Sequence, residues 1–131
     1  MANNYLLFST LIHCATEEQQ DWLVAKLEAQ EDEYVCEFMR QKDVEPDADE
    51  RKFDVWVYTD ESGEIDLLAD IVCEFQKQFD LTEPWTLTYA ETCSKPRLDE
   101  FCGGTIVCYK GEAYYMHAFE WAERKIKELT G

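Results

Sequence analysis

Ile65, Leu68, Ile71, Val72, Phe75 and Phe79 recur at three- and four-residue steps, with Asp66, Asp70, Glu74 and Lys77 filling the positions between them. One apolar stripe at the helical period predicts an amphipathic helix, and such a helix is stable only when the stripe lies on another apolar layer. The material for that layer is a set of strand-length runs on both sides of the helix. Residues 5–12, YLLFSTLI, form a continuous apolar run that reads as a buried central strand. Residues 34–41 read as a second strand with Tyr34, Cys36 and Phe38 on its core face. In residues 53–59, Phe53, Val55, Val57 and Thr59 alternate with Asp54, Trp56 and Tyr58, the pattern of a half-buried strand. Residues 85–89 and 105–109 are two more, and Lys110-Gly111 supplies a tight turn that pairs 105–109 with 112–116 as a hairpin.

Two further helices complete the order. Thr16 opens a T-E-E-Q capping box, which predicts a helix over about 17–30 with Trp22, Leu23 and Leu27 inward. At the other end, Phe119, Ala122, Ile126 and Leu129 form the buried stripe expected of a last helix. The sequence therefore reads β, α, β, β, α, β, β, β, α in one domain of residues 1–131. The fold class is α+β: a single-layer antiparallel or mixed sheet of about five to six strands, with three helices mainly on one face. A doubly wound nucleotide fold is disfavoured, since its units alternate strictly and neither a G-x-G-x-x-G nor a G-x-x-x-x-G-K-[ST] pattern occurs.

Charge narrows the function. Of the net −17, residues 17–83 carry −16, with 22 acids against 6 bases, and the rest of the chain carries −1, with 7 acids against 6 bases. Such a field repels phosphates, so direct binding to nucleic acid or to an anionic membrane surface is not expected, and a basic protein surface is the fitting partner. Residues 42–52 hold a proline among charges and read as an exposed, mobile connector. No apolar run approaches the about 18 residues that span a bilayer, and MANNYLLFST lacks the basic region of a signal peptide, which places the chain in the cytoplasm. In that compartment the six cysteines, with no C-x-x-C pair among them, are expected to be reduced and free of metal, and no cofactor is called for.

The stretch from Pro84 to Tyr109 contains the chain's one compact basic and glycine-bearing loop. Within it, W-T-L-T-Y-A-E-T-C-S-K-P-R-x-x-x-F-x-G-G resembles the hallmark segment of a largely uncharacterised family of small acidic proteins from bacteria and from phage or plasmid genomes. The family pattern has glycine where this chain has Cys102, and tryptophan where it has Tyr89. The resemblance covers about twenty residues; it implies a mobile-element setting in a bacterial host cell and assigns no catalytic residue.

Two functional classes follow, on different surfaces. In the first, Glu17, Glu18, Asp21 and Glu28 on one helix, Asp66, Asp70 and Glu74 on another, and Asp43, Glu45, Asp47, Asp49 and Glu50 in the connector form an acidic interaction surface. The protein is then an interaction module, one form of which is a DNA-mimic inhibitor of a host nucleic-acid-binding or defence protein. In the second, the loop from Glu91 to Gly104 binds a small ligand or anion, or serves an enzyme, through Glu91, Thr92, Cys93, Ser94, Lys95, Arg97, Gly103 and Gly104. Within that class, Cys93 beside Lys95 and Arg97 is a candidate nucleophile with His13 or His117 as base. Cys93, Cys102, His13 and Cys14 match zinc in ligand type, but their spacing fits no common zinc motif. No complete set of nucleophile, base and oxyanion donors can be named, so the binding class comes first.

Overall fold

The computed structural model describes residues 3–30, 34–41, 51–96, 98 and 100–131. The elements are β1 (Asn4–Ile12), α1 (Glu17–Glu28), β2 (Glu37–Arg40), β3 (Val55–Thr59), α2 (Ile65–Gln78), β4 (Trp85–Cys93), β5 (Cys102–Tyr109), β6 (Glu112–His117) and α3 (Ala118–Thr130). The six strands form one sheet in the order β2-β3-β1-β4-β5-β6, and every ladder in it is antiparallel. This is the α+β architecture expected from the sequence. No helix among the described residues is long and apolar enough to cross a membrane.

Local chemistry sets the boundaries. The Thr16 hydroxyl accepts from Gln19 N–H at 3.2 Å, an amide that the helix leaves free, and Gln19 Oε1 reaches back to accept from Ala15 N–H, just before the cap, at 2.8 Å. Lys110 and Gly111 both have positive φ, 50° and 84°, as a two-residue hairpin turn of the twist-matching kind requires. The buried Gln76 of α2 clamps that turn: it donates to the Cys108 carbonyl at 2.9 Å and accepts from Gly111 N–H at 3.0 Å.

One face of the sheet is covered and the other is open. α1 lies over β2 and β3, α2 over β5 and β6, and the two helices touch. Beneath them Phe8, Ile12, Val55, Val57, Leu87, Ile106 and Cys108 meet Leu23, Leu68, Val72 and Phe75 in a single core. On the opposite face the register aligns Leu7, Leu11, Trp56, Tyr58, Thr86, Thr88, Thr105 and Val107, none of which is buried. The apolar run of β1 is thus central, as expected, but buried on one face only.

α3 departs further from expectation. It follows β6 and touches β5 and β6, yet none of its residues is buried: Ile126 is 59% and Leu129 74% exposed. The helical period of its apolar residues is real, but no layer among the described residues covers them. In the second strand region only Glu37–Arg40 pairs, with Val35 and Cys36 buried just before it and Tyr34 exposed.

Candidate functional site

Three places among the described residues gather chemistry, and the first is the helical layer. Trp22 of α1 packs on Phe75 and Phe79 of α2, with ring centroids 5.8 and 6.0 Å apart, and this contact sets the two helices side by side. Glu17, Glu18, Asp21, Glu28, Asp66, Asp70 and Glu74 are all exposed on them. Lys26 bridges to Glu74 at 3.3 Å, and Arg40 pairs with Asp21. Asp43, Glu45, Asp47, Asp49 and Glu50 lie outside the described residues.

The Glu91–Gly104 segment is less of a loop than its composition suggests. β4 runs on through Cys93 and β5 begins at Cys102, so Glu91, Thr92, Cys93, Gly103 and Gly104 are strand residues. Cys93 is buried opposite Asn4, Ser94 is tied to Asn3 by two hydrogen bonds of 2.8 Å, and Lys95 is exposed. Arg97 lies outside the described residues. Gly103 and Gly104 stand in the ladder opposite Ala90 and Tyr89. A Cβ at Gly104 would run into the Met116 carbonyl oxygen and lie 2.7 Å from Tyr89 Oη, so the close approach of the β6 backbone, with the tyrosine beside it, accounts for that glycine.

The register produces a constellation at this end of the sheet. Glu91 faces Cys102 across β4 and β5, Gly104 faces His117 across β5 and β6, and alternation puts all three side chains on the helix-bearing face. Cys102 Sγ lies 3.2 Å from His117 Nε2 and 3.7 Å from Nδ1. One ligand atom from each of Glu91, Cys102 and His117 lies within 4.8 Å of the others. Glu91 also lines a cleft with Glu61, Glu64, Asp66 and Glu100. In that cleft Glu100 Oε2 is buried and meets no donor among the described residues.

The third place is at the opposite end of β1. That strand pairs with β4 only over Asn4–Leu7 and with β3 over Phe8–Ile12, and where β1 and β4 part a groove of about 500 Å³ opens over Phe75 and Gln76 of α2. On its rim stands His13, whose Nδ1 lies 2.8 Å from the buried carboxylate of Asp54, which also accepts from Cys14 N–H at 3.1 Å. Because a carboxylate only accepts, this contact fixes the proton on Nδ1 of His13. Neighbouring Cys14 is no nucleophile, since burial, with Asp54 adding, pushes its thiol up to about 12.

The nucleophile and zinc sets considered from sequence are not assembled. His13 and Cys14 lie past the end of β1 and Cys93 faces its start, roughly 25 Å apart at the rise of a strand. No hydrogen bond joins Cys93 to either histidine among the described residues, and His117 stands against Cys102 instead. The hairpin register carried the signal: counted back from Lys110-Gly111, it sets His117 opposite Gly104, two residues from Cys102. Compared with protein-family models, curated proteins and solved structures, the chain matches none.

Proposed function

We propose that the protein acts by binding a basic protein surface through the outer side of α1 and α2. The observation that carries this reading is that two adjacent helices expose seven carboxylates as one layer, with only Lys26 and Lys77 among their basic residues. Such an array attracts a cationic partner, speeds its encounter and repels nucleic acid. In its finer form the layer stands in for the phosphates of a duplex and inhibits a host nucleic-acid-binding or defence protein in the bacterial cytoplasm. The mobile-element setting implied by residues 85–104 supports that form.

The test is a pull-down from host cytoplasm at low and high salt, comparing wild type with a variant carrying Glu18→Lys, Glu28→Lys, Asp66→Lys and Asp70→Lys. The expected partner is captured at low salt, is displaced by high salt or by duplex DNA, and is lost from the variant. Retention by the variant, or indifference to salt, refutes the reading. A second reading, a small ligand at the Glu91–Gly104 segment, is favoured by the contact between Cys102 and His117.

A further inference from the structure

We propose that Glu91, Cys102 and His117 form a binding site for one borderline-soft divalent metal ion of the zinc class, with a fourth coordination position open to water or an added ligand. The inference does not depend on the acidic-layer reading, and it departs from the sequence expectation that no cysteine binds metal.

Geometry comes first. In a tetrahedral zinc site the thiolate and imidazole donors stand about 3.5 Å apart, an edge set by metal–sulfur and metal–nitrogen bonds of about 2.3 and 2.0 Å. The Cys102 Sγ to His117 Nε2 separation of 3.2 Å is close to that edge, and the Glu91 oxygen lies within 4.8 Å of both. The three donors come from adjacent strands β4, β5 and β6, so backbone ladders fix their spacing. Three protein donors with one position left open is the arrangement of zinc sites that exchange ligands.

The surrounding charge also suits a cation. Here the neighbourhood is anionic: Glu91 belongs to the constellation itself and shares a cleft with Glu61, Glu64, Asp66 and Glu100. These carboxylates favour a cation at this end of the sheet, with Glu91 as one of its ligands. The donor set selects the ion as well: thiolate and imidazole suit Zn²⁺ and its analogue Co²⁺, while Mg²⁺ and Ca²⁺ prefer oxygen throughout.

The experiment is a titration of the reduced, full-length protein with Co²⁺, following the thiolate-to-cobalt charge-transfer band, and then displacement by Zn²⁺. One ion per chain is expected, with the band abolished in Cys102→Ser and kept in Cys93→Ser. His117→Ala and Glu91→Gln should each weaken binding by about 100-fold or more, beyond the 10–100-fold typical of losing an outer-shell partner. Absence of a saturable band, or a band that survives Cys102→Ser, overturns the site. Should Cys102→Ser fail to fold, wild type alone decides: Zn²⁺ must protect Cys102 from iodoacetamide in a peptide map, and labelling unchanged by Zn²⁺ counts against the proposal.

Discussion

At the scale of single residues, the cysteines divide by environment. Burial pushes Cys14, Cys36 and Cys108 from 9.0 up to about 12, while Cys102 is half-buried at the start of β5. In the unfolded chain these three thiols ionise near pH 9; in the folded chain they stay neutral until about 12. The folded state therefore holds more protons in that window, and stability falls as pH rises through it. Each thiol contributes a slope of about 1.4 kcal/mol per pH unit. Denaturant unfolding of the reduced protein between about pH 9 and 11 should show this decline, and Cys36→Ala should flatten it by one thiol's share. An unchanged slope in that variant would mean that Cys36 is not held neutral by burial. The same residues show what sequence leaves out of a site. The sequence sets Cys102 in a loop and offers His117 only as a candidate base, whereas their contact depends on β5 starting early enough to bring Cys102 into register and on β6 reaching His117. Composition had suggested a loop there, because Ser94, Pro96 and two glycines crowd the segment.

At the scale of elements, periodicity located the strands and helices well, and the misreadings share one cause. A period reports which side of an element is apolar; it does not report whether a layer exists to cover that side. For α2 the layer exists: Ile71 and Phe75 are buried against the sheet, as the spacing required. For α3 the stripe is as regular, yet Phe119, Ile126 and Leu129 remain exposed. In β1 the continuous apolar run predicted two covered faces, and only the face holding Phe8 and Ile12 is buried. The difference is measurable. Phe75→Ala should lower unfolding free energy by about 3–5 kcal/mol, since it empties a filled core site. Ile126→Ala should stay within about 0.5 kcal/mol, as for an ordinary surface change. A large loss at Ile126 in denaturant titration would show that α3 is covered in solution.

At the scale of the whole molecule, charge and apolar surface are separated. The acids of α1 and α2 lie on the helical side, while on the open sheet face the strands carry only Glu37 and Glu112 among their paired charged residues. A net charge of −17 on one domain repels itself, so the compact state is weakened by charges that the few ion pairs among the described residues do not neutralise. Salt shortens the reach of these fields, from about 10 Å at 0.1 M to about 3 Å at 1 M. Two effects of opposite sign follow from the same carboxylates. Screening relieves self-repulsion, so the melting temperature should rise with added NaCl. Screening also removes attraction to a cationic partner, so association should slow as salt rises, with dissociation changing less. Calorimetry and stopped-flow binding across the same salt series test both. If melting temperature fell with salt, surface ion pairs would outweigh repulsion. If stability rose but association did not slow, the acidic layer would be a solvated surface, and the binding function would move to the Glu91–Gly104 end of the sheet.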